Sequence, residues 1–173
     1  SHPSHFEVAE LSGILENHVL DIRNGDALKE LVLQTQPDFV FHLAAQAIVR
    51  QSYDDPVITY QTNAMGTLNL LEALRSLKKK CTAVLVTSDK CYENVEWVWG
   101  YRETDALGGP DPYSASKGAA ELVIRSHLKS FFPKGGLVRI AVARAGNVIG
   151  GGDWASERIV PDCVRSWVKD KTV

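Results

Sequence analysis

Tyr113 and Lys117 stand four residues apart in the run Asp111-Pro112-Tyr113-Ser114-Ala115-Ser116-Lys117-Gly118. An extended, proline-stiffened stretch gives way there to good helix formers, so the phenol and the ammonium project from one helix face about one turn apart. A phenol beside a fixed cation is an activated base. Bringing a phenol from a reference pKa of about 10 to near neutrality takes roughly 4 kcal/mol, which an ammonium in a partly dry site supplies. The pair alone is a common pattern on solvated helix faces, so its meaning rests on the residues that accompany it.

A second group, Thr87-Ser88-Asp89-Lys90, places a hydroxyl, a carboxylate and an amine at the exit of an apolar run. Read plainly, Ser88-Asp89 is a strand-to-loop exit, and Asp89 and Lys90 pair with each other as a local salt bridge. Read chemically, they are an acid and a base beside the phenol.

The elements that must position these groups alternate. Phe39–Leu43, Ala83–Val86 and Val138–Val142 are strand-length apolar runs without clean alternation, as expected of strands buried on both faces. His18-Val19-Leu20 is a further short apolar entry, leading to Asp21-Ile22. Asn24-Gly25-Asp26 caps a helix expected to reach Gln36, where Pro37-Asp38 breaks it. Val57–Leu77 carries an apolar stripe through Tyr60, Ala64, Leu68, Leu71 and Leu74, and Ser114–Phe132 carries one through Ala120, Ile124, Leu128 and Phe131. Strand-helix repetition of this kind predicts an α/β fold, a doubly wound parallel sheet with helices on both sides. Ligands in such sheets sit beyond the carboxyl ends of the strands. The residues there are Asp21-Ile22, Ala44-Ala45-Gln46, Ser88-Asp89-Lys90 and Arg144 to Asn147, so four strand ends deliver small or polar residues to one edge. The glycine-rich segment Gly146–Trp154 follows the last of them.

Composition narrows the function classes. The chain has 173 residues, 45% hydrophobic and 23% charged, with a net charge of -2, and its basic residues are dispersed, so nucleic acid is not the expected partner. Lys78-Lys79-Lys80 is the exception and reads as a helix end. No apolar run approaches the ~20 residues of a membrane span, and the N-terminus lacks a secretory layout, which gives a cytoplasmic expectation. Cys81, Cys91 and Cys163 are odd in number and lack metal-ligand spacing, so reduced thiols and no metal are expected.

Taken together and in order, Asp21-Ile22, His42-Leu43-Ala44-Ala45, Asn63 with Gly66-Thr67, Thr87 to Tyr92, Tyr113-x-x-x-Lys117 and Arg144-Ala145-Gly146-Asn147 resemble the extended short-chain dehydrogenase/reductase superfamily. More narrowly, Ser88-Asp89-Lys90-Cys91-Tyr92, Glu96 to Glu103 and Gly146 to Trp154 are similar to the CDP-glucose 4,6-dehydratases; the sister dTDP-glucose enzymes have glutamate where Lys90 stands. The resemblance implies a Rossmann-like fold and NAD as cofactor. Asp21, Ile22, Leu43, Ala44, Ala45, Gln46, Asn63, Thr87, Tyr113, Lys117 and Arg144 would contact NAD, with Asp21 against the adenine. Tyr113, Lys117, Ser88, Asp89 and Lys90 would be catalytic, with Ser88 also on the sugar 4-oxygen. Asn147 and Arg158 would meet the pyrophosphate of a nucleotide-sugar substrate. The helices around 57–77 and 114–132 would form a homodimer or tetramer interface.

The resemblance also implies a glycine-rich phosphate turn near the start. Gly13 is the only glycine before Asp21, and Pro3-Ser4-His5-Phe6-Glu7 resembles the stretch after the family's second strand. The chain is therefore expected to be incomplete at both ends, with residues 1–145 part of an NAD-binding domain and 146–173 the start of a substrate-binding region, and to hold NAD weakly by itself. Plainer roles stand beside several of these: His42 as a hydrogen-bonded core residue, Asn63 as a cap or kink, Gly150 to Gly152 as flexible loop. Trp97 and Trp99 fit either a hairpin's hydrophobic face or a substrate lid.

Overall fold

The computed structural model describes residues 4–173; Pro3 of the N-terminal segment lies outside the described residues. Leu20–Gly146 forms one compact unit, and the residues up to Val19 with Asn147–Val173 form another.

The larger unit is built on three parallel strands in the order β1 (Phe39–His42), β2 (Cys81–Ser88) and β3 (Val138–Ala145). The register pairs His42 with Leu85, and Thr87 and Ser88 with Arg144 and Ala145, so the carboxyl ends of β2 and β3 finish level. The apolar runs thus form strands as expected. His18-Val19-Leu20 does not: it joins no ladder among the described residues and Val19 is almost fully exposed, so three strand ends meet at this edge, not four.

Cover comes from α2 (Gly25–Thr35), α5 (Gly66–Arg75) and α6 (Pro112–Phe131). Their residues Leu28, Val32, Leu70, Leu71, Leu74 and Ile124 close over Cys81, Ala83, Leu85 and Val138 in one apolar core. Burying an aliphatic side chain of this kind contributes about 1.5–3 kcal/mol each, which makes this face the main source of stability. The opposite face, with Phe39, Phe41, Ala141 and Ala143, is exposed, so the strands alternate in burial. The helices that both-face burial required are not among the described residues, and each strand accordingly shows the period of two of a half-covered sheet.

Local chemistry explains the helix limits. Asn24 accepts from the Ala27 amide at 3.2 Å at the start of α2. At its end Gln36 adopts a left-handed φ of 46°, and Lys79 donates to the Gln36 carbonyl at 2.8 Å. The lysine run lies beyond α5 rather than closing it, and Lys79 serves the negative pole of α2, with Asp38 also 2.7 Å away. After a short helix α3 (Val49–Asp54), α4 (Pro56–Tyr60) leads through a π-helical stretch at Gln61–Met65 into α5, where a single helix over Val57–Leu77 is expected. At Gly66 a Cβ would stand 2.5 Å from Ile22 Cδ1, so the helix follows a close approach of the 20–24 segment that glycine permits.

In the smaller unit, α1 (His5–Val8) starts at a capping box between Ser4 and Glu7, and α7 (Ile159–Trp167) carries an exposed apolar side with Ile159 and Trp167. Cys81, Cys91 and Cys163 are free thiols. Among the described residues no helix is long and apolar enough to cross a membrane.

Candidate active site

Asp111 sets the start of α6: its Oδ1 accepts the Ser114 amide at 3.0 Å and its Oδ2 the Ser114 hydroxyl at 2.6 Å, with Pro112 in the first turn. Tyr113 and Lys117 follow on one face and are both buried, at 8% and 7% exposure. Lys117 Nζ lies 5.8 Å from the centroid of the Tyr113 ring. Burial lowers the pKa of Lys117. No carboxylate stands within ion-pair distance of it among the described residues. A buried ammonium without an acidic partner suits neutral hydroxyl acceptors such as those of a ribose.

The exit of β2 packs against this helix. Ser88 Oγ donates to Asp89 Oδ1 at 3.1 Å and accepts the Lys90 amide at 3.2 Å, closing a tight turn at Asp89–Cys91. Lys90 Nζ donates to Asp89 Oδ2 at 3.1 Å, and both side chains are about half exposed. The acid and the amine therefore pair with each other, as the plainer reading anticipates; an exposed pair of this kind is worth under about 1 kcal/mol and separates readily. Cys91 is fully buried against α6, and burial beside the Glu121 carboxylate pushes its thiol up to about 11. A Cβ on Gly118 would stand 3.2 Å from the Gly108 amide and 3.5 Å from the Cys91 carbonyl, so α6 and the turn touch through backbone.

Asn63 is buried in the π-helical stretch. Its Oδ1 accepts the Gln46 amide at 2.9 Å, and its Nδ2 donates to the Gln46 carbonyl at 3.0 Å and to Ser116 Oγ at 2.9 Å. Ser116 in turn donates to the Tyr113 carbonyl at 2.6 Å. Asn63 thus ties the exit of β1 to the tyrosine's own helical turn, and the widened helix is what brings it there. The Gln46 side chain is engaged by Thr59 and the Ile48 amide. Leu43 and Ala44 are exposed beside it.

His42 is the hydrogen-bonded core residue expected. Its Nε2 lies 3.0 Å from Thr67 Oγ1, which itself donates to the Asn63 carbonyl at 2.7 Å, so the histidine carries its proton on Nε2. Burial, reinforced by the charge of Lys117, lowers its pKa to about 4.

Arg144 is occupied internally. Nε and Nη2 donate to Glu121 Oε1 and Oε2 at 3.0 and 2.9 Å, and Nη1 donates to Tyr92 Oη at 2.8 Å and to the Glu103 carbonyl at 3.1 Å. Glu121 Oε1 also accepts Thr87 Oγ1 at 2.5 Å. Sequence reasoning missed Glu121, although Tyr113, Lys117 and Glu121 at four-residue intervals were the available signal. Asp21 is exposed and held near pKa 2 by the Arg23 guanidinium; Ile22 packs at Gly66. Asn147 and Arg158 belong to the other unit: Asn147 is exposed, and Arg158 Nε, 3.7 Å from Asp153 Oδ2, is buried without a hydrogen-bond partner. Trp97 and Trp99 form no hairpin strand; Trp97 meets Tyr101 at a tilt in a loop closed by an antiparallel bridge between Tyr92 and Leu107.

An α/β unit with a tyrosine and a lysine buried one turn apart on a helix beside polar strand ends has counterparts. Residues 3–132 match the model of the GDP-mannose 4,6 dehydratase family. The chain belongs to this family. It is 49% identical, over 99% of its own length, to a CDP-glucose 4,6-dehydratase of Salmonella typhimurium, of which it covers 49%. It is 32% identical to a CDP-paratose 2-epimerase of Salmonella typhi over 64% of this chain and 37% of that one. Among solved structures, a Thermus thermophilus UDP-glucose 4-epimerase in complex with NAD superposes with a TM-score of 0.75 at 29% identity, covering 89% of this chain and 49% of that one. A dTDP-glucose 4,6-dehydratase of Streptomyces venezuelae superposes with a TM-score of 0.81 at 22% identity, covering 96% and 49%, which speaks for the Rossmann-like fold. The chain spans about half the length of the curated relatives it matches.

Proposed function

We propose that the protein containing this chain is an NAD-dependent CDP-glucose 4,6-dehydratase, and that this chain supplies its principal acid-base residues. The observation that carries the reading is the half-exposed Asp89-Lys90 pair at the β2 exit, packed against the helix that bears Tyr113 and Lys117. A 4-epimerase needs the tyrosine and lysine but has no use for a second acid and base.

NAD is the expected cofactor. Lys117 would hold a ribose hydroxyl, Asp21 and Ile22 would face the adenine, and Leu43, Ala44, Ala45, Gln46, Asn63 and Thr87 would border its path; the unpaired ammonium of Lys117 is the feature of the site that fits it. The chemistry NAD supplies when bound is removal of hydride from sugar C4 and its return at C6. Tyr113, as phenolate, accepts the proton of the 4-hydroxyl, and Lys117 stabilises that phenolate. Ser88 donates to the same oxygen. The C4 ketone acidifies C5, so Lys90 in its amine form takes the C5 proton while Asp89 in its acid form gives a proton to the C6 oxygen. Water leaves and a C5–C6 double bond forms. Lys90 returns its proton to C5 when C6 is reduced, leaving a 4-keto-6-deoxy sugar nucleotide. Arg144 is left out of the cofactor contacts because its donors are already engaged. Asn147 and Arg158 are assigned to the substrate pyrophosphate, in the start of a substrate-binding region.

The test is a substrate panel with the full-length protein: CDP-, dTDP-, UDP- and GDP-glucose offered at equal concentration. Formation of a 4-keto-6-deoxy product at least tenfold faster from CDP-glucose is expected. Preference for another nucleotide overturns the base assignment, and epimerised product without loss of water overturns the reaction.

A further inference from the structure

Glu121 lies one turn beyond Lys117 on the face that carries Tyr113, and it is buried. Its two oxygens take Thr87 and Arg144, which are register partners on β2 and β3. One carboxylate therefore grips both strand ends and fixes the rotation of α6 on the sheet.

The guanidinium it holds reaches further. Arg144 lies over the Tyr92 ring, 4.8 Å from its centroid, and Nη1 binds Tyr92 Oη and the Glu103 carbonyl. Tyr92 is the first residue after the Asp89–Cys91 turn, and Glu103 lies on the returning limb of the loop that the Tyr92–Leu107 bridge closes. Beyond Tyr92 the stack continues to Tyr101, with centroids 5.2 Å apart, and then to Trp97 at 5.5 Å. The Tyr101 hydroxyl donates to Asn94 Oδ1 and accepts the Val95 amide. A partly buried arginine bound bidentately to a buried carboxylate is a rigid fork. Here it joins four pieces of chain: β3, α6, the exit of the Asp89-Lys90 turn and the return of the loop.

Asp89 and Lys90 have no such fixing of their own among the described residues, where their side chains bind each other and Ser88. Tyr113 and Lys117 are placed by α6 itself. We propose that Arg144 is a positioning residue for the elimination step: anchored on Glu121, it holds Tyr92 and Glu103, and through them sets the Asp89-Lys90 turn against the Tyr113-Lys117 face. The inference rests on the dehydratase reading. It separates the two halves of the reaction, because proton removal at the 4-hydroxyl is carried by Tyr113 and Lys117 on α6, with Ser88 from the last position of β2 donating to the same oxygen, whereas proton transfers at C5 and C6 depend on the turn that Arg144 references to α6.

The test uses full-length protein with CDP-glucose in D2O. Tyr92→Phe removes only the hydroxyl that Nη1 binds and keeps the ring stack; Arg144→Lys keeps the charge but not the fork. Two rates are read in single turnover: C4 oxidation, by absorbance of the reduced cofactor, and uptake of solvent deuterium at C5, by mass spectrometry. In Tyr92→Phe, C4 oxidation within about twofold of wild type with C5 exchange and dehydration down tenfold or more is expected, and Arg144→Lys should split the two rates in the same direction. Unchanged C5 exchange in Tyr92→Phe overturns the proposal, as does a parallel fall of both rates. Should Arg144→Lys not fold, Tyr92→Phe decides alone. Wild-type protein that does not dehydrate CDP-glucose would instead remove the underlying reading.

Discussion

Lys117 combines deep burial, a lowered pKa and the lack of an acidic partner among the described residues, and it lies 5.8 Å from the Tyr113 ring centroid. Charge left unneutralised in a partly dry site is costly, so it persists where it serves a group that becomes negative during reaction. On the proposed reading that group is Tyr113. Replacing Tyr113 with Phe removes the proton acceptor while conserving the ring, and turnover should fall about 10²–10⁴-fold, the usual range for losing one general base. Thermal stability should stay near wild type, since the phenol oxygen has no protein hydrogen bond among those described. Turnover within tenfold of wild type would assign the proton transfer elsewhere. At this scale the shared helix face of Tyr113 and Lys117 and the strand-exit position of Ser88 were legible from residue type and spacing. Glu121 shares their four-residue spacing, but the occupied state of Arg144 was not legible, because nothing local marks which strand-end arginine turns inward to a carboxylate 23 residues away.

The strand ends and the helix that crosses them are held by buried polar contacts, and one of these has a measurable pH signature. His42 on β1 is held neutral by burial, reinforced by the charge of Lys117, with Nε2–H directed to Thr67 on α5. Its pKa falls from 6.5 to about 4 on folding, so the unfolded chain binds more protons between those values. The stability contributed by keeping it neutral is complete above pH 6.5 and is lost as pH falls toward 4, by roughly 3 kcal/mol. In His42→Gln the unfolding free energy should decline less steeply across that window than in wild type, by one proton's worth of slope, as read by denaturant titration at several pH values. Identical slopes would mean that His42 is not held neutral. The three strands followed from apolar runs and α6 from its helical periodicity, because apolar pattern and length are local properties. The widening of the helix at Gln61–Met65 did not, since it depends on Asn63 reaching both Gln46 and Ser116 across the fold. The exposure of one sheet face was equally hidden, because these runs read as the continuous apolar strands of a sheet covered on both sides, and the cover of the second face is not among the described residues.

On the scale of the molecule, the larger unit shows exposed apolar side chains on the helices that flank the site: Tyr53, Val57, Tyr60 and Met65 from α3 to the start of α5, and Leu122 and Phe131 on α6. A second copy packing helix to helix would cover them. Full-length protein is predicted to sediment as a dimer or tetramer at micromolar concentration, and a monomer there would remove this proposal. The central claim is that one site oxidises C4, expels water across C5 and C6, and reduces C6. It is tested most directly by giving the full-length protein CDP-glucose labelled with deuterium at C4. The account predicts a 4-keto-6-deoxy product with the deuterium at C6; deuterium found again at C4 of an intact hexose, or a product that has kept its 6-hydroxyl, would contradict it.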